Sequence, residues 1–127
     1  MRKEMVFLAI LLGAAIVMVS GCLVAAVGVG AGTVAYVRGD METVEPAGID
    51  AVYKAAEKAV DNLGLRGIEK TKDELTARIK ARDSEDKKVI IRLTSAGRMS
   101  TKLSIRIGTF GDEIKSRRIY EEIKKYL

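Results

Sequence analysis

Apolar and polar side chains follow one another in two textures along this chain. Between Glu4 and Arg38 no charged residue occurs, and apolar and small side chains run on without a period. Beyond about residue 35 the periods of regular structure set in. "AYVRGDMETVE", residues 35 to 45, reads as a first strand, which Pro46, the only proline, brings to an end. Ile49, Val52, Tyr53, Ala56, Val60 and Leu63 then fall on one stripe of a helix, and Gly64 supplies its stop. Leu65 to Lys72 predicts a strand, and "ELTARIKAR" (74 to 82) a second, with Leu75, Ala77, Ile79 and Ala81 on a buried face. "KVIIRLTS" places Val89, Ile91 and Leu93 on that face, and "TKLSIRIGTF" does so with Leu103, Ile105 and Ile107. "DSEDK" and "SAGRMS" are of hairpin length, so the middle of the chain predicts an antiparallel meander. The last stretch predicts a helix with Asp112 as N-cap and a stripe of Ile119, Tyr120, Ile123 and Leu127.

The order β-α-β-β-β-β-α defines an α+β domain over residues 35–127. An antiparallel sheet of about five strands buries one face under both helices, because two amphipathic helices and one apolar sheet face cover each other.

The first texture has a different use. Arg2 and Lys3 precede an apolar run from Met5 to Val19, and Ser20 and Gly21 are small residues before Cys22. That is the layout of a secretory signal over residues 1–21, preceding a Gly/Ala-rich tether over 22–34. "VSGC" resembles the bacterial lipobox, in which cleavage falls between Gly21 and Cys22. The resemblance implies that Cys22 carries a diacylglyceryl thioether and becomes the mature N-terminus. Leu23, where aspartate would resemble an inner-membrane retention signal, implies the outer membrane, facing the periplasm. The alternative is a single uncleaved helix anchoring the protein in the inner membrane, since about 20 apolar residues span a bilayer. Against it, Gly28, Gly30 and Gly32 each weaken a helix by up to about 1 kcal/mol; the sequence assigns those glycines no other role.

Composition narrows the chemistry. There is no histidine and one cysteine in 127 residues, which removes His-dependent nucleophiles, internal disulfides and His or multi-Cys metal sites. No metal, cofactor or catalytic residue is expected. Asp83, Glu85 and Asp86 fall in a turn, and Glu121 and Glu122 are neighbours on a helix. A small carboxylate-dependent envelope hydrolase therefore remains only as an alternative. A net charge of +5 with no Trp and two Phe falls short of the basic density and stacking platform of a nucleic-acid binder.

The alternation that buries one sheet face sets Arg78, Lys80, Arg82, Lys88, Arg92, Lys102 and Arg106 on the other. Such a face is either solvated, with Asp40, Glu42, Glu69 and Glu74 as counter-charges, or it meets anionic lipid head groups, an acidic glycan or an acidic protein partner.

The lipobox, "GAGTVAYVRGDMETVEPAGIDAVYKAAEKAVDNLGL" and "RIGTFGDEIKSRRIYEEI" together resemble a family of small bacterial lipoproteins with an uncharacterised domain, domain of unknown function 3568. The likeness rests on Tyr36-Val37-Arg38-Gly39, on Leu63-Gly64-Leu65, and on Gly111-Asp112 with Ser116. It implies an envelope location and no activity.

Overall fold

The computed structural model describes residues 2–11 and 34–127. They belong to two units, Met1–Gly30 and Ala31–Leu127. In the first, residues 2–11 form helix α1, and its side chains Met5, Val6, Phe7, Leu8, Ile10 and Leu11 are all exposed. Among the described residues no helix is long and apolar enough to cross a membrane. The proposed cleavage and attachment residues Gly21 and Cys22, and the glycines at 28, 30 and 32, lie outside the described residues.

In the second unit the chain runs through β1 (Ala35–Val37), β2 (Asp40–Glu45), α2 (Ile49–Asn62), β3 (Arg66–Lys72), β4 (Thr76–Arg82), β5 (Lys88–Gly97), β6 (Ser100–Ile107) and α3 (Glu113–Lys124). The six strands form one sheet in the order β1-β2-β6-β5-β4-β3, and every neighbouring pair is antiparallel. Helix α2 carries the chain from β2 to the far edge, from which β3 to β6 return as a meander until β6 closes against β2. Helix α2 lies over β4, β5 and β6, and α3 over β6 and β2, with the two helices touching.

The sheet has six strands rather than about five, because the stretch 35–45 is a hairpin. Arg38 and Gly39 both have positive φ, 53° and 87°. That is the backbone of a two-residue turn whose twist matches the flanking strands. Arginine seldom occupies such a position, so the unbroken alternation hid the turn.

Two residues assigned to the core stand outside it. Leu75 is 64% exposed, because β4 begins at Thr76. Asp73 caps the β3–β4 turn, its Oδ1 accepting from the backbone N–H groups of Leu75 and Thr76 at 2.9 and 2.8 Å. Leu127 is also exposed, beyond the end of α3. The remaining alternation holds: Ala77, Ile79, Ala81, Val89, Ile91, Leu93, Leu103, Ile105 and Ile107 are buried. On α2 the buried stripe is Ile49, Val52, Ala55, Ala56, Ala59 and Val60, mostly small side chains, with Tyr53 and Leu63 half-buried beside it. Edge strand β3 is held to α2 by ion pairs of Lys70 with Glu57 (3.1 Å) and Lys72 with Asp50 (2.7 Å).

Strand β2 breaks the apolar rule. Met41, Thr43 and Glu45 face the helices and are buried. The Tyr120 hydroxyl of α3 donates to Glu45 Oε1 at 2.7 Å, and Thr43 Oγ1 donates to the same oxygen at 3.4 Å. Burial, reinforced by the bond to Glu45, pushes the Tyr120 phenol up to about 12. Tyr120→Phe leaves Glu45 with only the longer bond, and a buried acceptor that loses its partner costs about 1–3 kcal/mol. A fall of that size in the urea-derived stability is the expected result; an unchanged value would show that this bond does not fasten α3 to β2.

Candidate anion-binding face

The registers set the face opposite the helices into rungs. One rung runs Thr71, Arg78, Arg92, Ser104, Glu42, and the next Glu69, Lys80, Ile90, Arg106. Beyond Lys80 along β4, Arg82 stands opposite Lys88, and on the other side Thr76 opposite Thr94, which itself pairs with Lys102. All seven expected basic residues therefore lie on this face, and the half-buried Ile90 interrupts them.

Their charge is not uniform. On the β2–β6 side Arg106 pairs with Asp40 at 3.4 Å and Lys102 with Glu42 at 3.5 Å. Arg82 reaches Asp86 at 3.6 Å. Among the described residues, Arg78, Lys80, Lys88 and Arg92 make no ion pair within 4.0 Å. Arg78 and Arg92 are direct cross-strand partners, a juxtaposition of like charges that a sheet disfavours. Glu69 stands opposite Lys80, and Glu74, expected as a counter-charge, makes no ion pair among the described residues. The face thus divides into a neutralised half and a basic half.

The basic half is concave. A groove of about 500 Å³ is lined by Arg78, Lys80 and Arg92, with Thr71, Thr76 and Thr94 around them and Glu69 at its side. Two other charged residues at its edge are already engaged. Lys72 pairs with Asp50, and Asp73 accepts bonds from Leu75 and Thr76 that hold its carboxyl below the usual range. A second groove of about 590 Å³ lies at the end of the sheet, between Arg82, Lys87, Lys88 and the exposed Phe110. There Lys87 and Arg82 have acidic partners in Glu85 and Asp86.

Arg106 serves another purpose than its neighbours. Its Nη1 donates to Arg38 O at 2.9 Å and its Nη2 to Thr109 O at 2.5 Å, so the guanidinium joins the β1–β2 turn to the β6–α3 loop. Beneath it the two backbones meet: a Cβ on Gly111 would strike the carbonyl and Cα of Gly39 and the hydroxyl of Tyr36. Two segments singled out in the sequence, Tyr36 to Gly39 and Gly111-Asp112, are thereby brought together from opposite ends of the domain. Asp112 caps α3, accepting from Lys115 N at 3.0 Å. Ser116 is buried, and among the described residues its Oγ has no hydrogen-bond partner.

The carboxylates at this end are in use as well. Lys115 Nζ donates to Asp83 Oδ2 at 2.9 Å and to Glu85 Oε2 at 2.6 Å, fastening the β4–β5 turn to α3. For Asp83, burial favours the neutral acid. The Lys115 bond and the N–H groups of Lys87 and Glu85 outweigh it, so its carboxyl stays below the usual value. Sequence reasoning missed Glu45 and Tyr120 as a pair, and only a glutamate in step with Met41 hinted at it. Both are almost wholly buried, so no substrate reaches them as they stand.

These features define a small α+β domain that covers one sheet face with its helices and presents the other, charge-rich, to solvent. The chain belongs to the family described as protein of unknown function (DUF3568), which matches residues 5–126. None of the curated proteins matches it.

Proposed function

We propose that the chain is a lipid-anchored protein of the bacterial envelope, held through Cys22 at the outer membrane, whose domain is a non-enzymatic binding module. The domain meets an anionic surface through the basic half of its open sheet face. The observation that carries this reading is the direct opposition of Arg78 and Arg92, with Lys80 beside them and, among the described residues, no ion pair for any of the three. Like charges across a rung are unfavourable, so a bound anion would relieve them. The anchor rests on "VSGC" after a basic start and an apolar run, and the exposed apolar surface of α1 is consistent with a segment made for a membrane. The hydrolase alternative draws no support from Asp83 and Glu85, tied to Lys115, or from Glu122, bonded to Asn62 and Lys125.

Among the described residues the buried apolar core of the second unit runs from Met41 to Ile123, so residues 31–127 carry a core of their own and can be studied without the anchor. This segment is expected to co-sediment with vesicles rich in anionic lipid at low salt and to be released as salt rises, because exposed charges are screened beyond about 8 Å at physiological ionic strength. No binding at low salt would overturn the surface-binding reading. For the anchor, mass spectrometry of the cell-derived N-terminal peptide is expected to begin at an acylated Cys22; a chain that keeps Met1 would overturn it.

A further inference from the structure

We infer that the groove between β3, β4 and β5 is a discrete site for one phosphomonoester dianion, held by Arg78, Arg92 and Lys80 with the threonine hydroxyls around them. This deepens the anionic-surface reading and rests on it.

The ligand class follows from the donors. Arg78 and Arg92 project from the same rung, and each guanidinium is a planar fork suited to two oxygens of one oxyanion. Lys80, two residues along β4, adds a point charge, and Thr71 stands in the same rung beside Arg78. Thr94 and Thr76 close the groove at the neighbouring rung. Arg78, Lys80 and Arg92 outnumber the two carboxylates of the groove, Glu69 and Asp73, and Lys72 is already paired with Asp50. A carboxylate ligand has two oxygens for two forks, an ammonium and several hydroxyls. A phosphomonoester offers three terminal oxygens and close to two negative charges at neutral pH, and the three oxygens match the number of donors. Lys102 and Arg106 on the same face are spoken for by Glu42 and by Asp40, Arg38 and Thr109. The site is therefore local to the basic half.

The test is calorimetric titration of the full chain, in a non-ionic detergent at low ionic strength, with inorganic phosphate, short-chain phosphatidic acid and, as a diester control, short-chain phosphatidylglycerol. Saturable binding of one phosphate per chain is expected, weakened at least about tenfold, or 1.4 kcal/mol, in the double variant Arg78→Gln/Arg92→Gln. Lys102→Gln, which removes a charge from the same face, is expected to change it less than twofold. Tighter binding of phosphatidic acid than of inorganic phosphate assigns the group to a lipid headgroup, and the reverse assigns it to a soluble phosphoester. Equal losses in the double variant and in Lys102→Gln would overturn the site, as would phosphatidylglycerol binding as tightly as phosphatidic acid. If no phosphate binds while residues 31–127 still sediment with anionic vesicles, the discrete site is wrong and the surface reading stands. If neither occurs, both fall.

Discussion

Ile79→Lys is expected to abolish cooperative unfolding of the domain, while Lys80→Glu, one residue on, leaves it folded. Ile79 is 1% exposed and pairs in register with the equally buried Ile91, under α2. A lysine there puts an ammonium into the core between Ile91 and Lys70, whose own ammonium already occupies Glu57, a burden of more than about 4 kcal/mol. Domains of this kind are stable by about 5–15 kcal/mol in all, so a single such change removes most or all of the margin. Lys80 points the other way, between Glu69 and Ile90. Its reversal sets two carboxylates across one rung at a surface position, which costs about 1 kcal/mol or less. Circular dichroism with urea titration of both variants checks the pair. If both unfold, or neither does, the assignment of alternate residues to the two faces is wrong.

Gly111→Ala is expected to be nearly as damaging, for a reason that lies in the backbone. Gly111 has φ +82°, and an added methyl group would run into the carbonyl oxygen and Cα of Gly39. Neither of those atoms can rotate away as a side chain does. The β1–β2 turn would have to part from the β6–α3 loop, and the three-centre arrangement of Arg106 with Arg38, Thr109 and Asp40 would part with it. A loss of roughly 3 kcal/mol or more is expected from strain and separation together. Gly64→Ala is the internal control. Its φ is +68° but nothing lies within 4 Å of the new methyl group, so only the left-handed conformation is penalised, at about 1–2 kcal/mol. Equal losses in the two variants would show that the contact with Gly39 contributes nothing.

The meander could be read in the chain because β4, β5 and β6 keep a period of two and the loops between them carry turn residues. Val89 to Leu93 and Leu103 to Ile107 could hardly face any other way. The same period misled at Arg38-Gly39, where an arginine took a left-handed conformation, and at Leu75, where the side-chain bonds of Asp73 claimed the residues before β4 for a turn. The alternation along β4, β5 and β6 placed seven cations on one face. Which of them are neutralised depends on β2 lying beside β6, a pairing between residues about 60 apart in sequence that no local pattern carries. The contact of Gly39 with Gly111 was for the same reason beyond reach of the sequence.

The proposed anion site implies that Arg78 and Arg92 oppose one another at a small cost to the fold. The stability of Arg92→Glu at low ionic strength tests this most directly, by urea denaturation of residues 31–127. The substitution turns a like-charge rung into an Arg–Glu pair, and the variant is expected to match the wild type or exceed it by about 0.2–1 kcal/mol, with the gain shrinking as salt is added. A variant less stable than the wild type by about 1 kcal/mol or more would mean that Arg92 is part of what holds the sheet together, and would contradict its assignment to an anion.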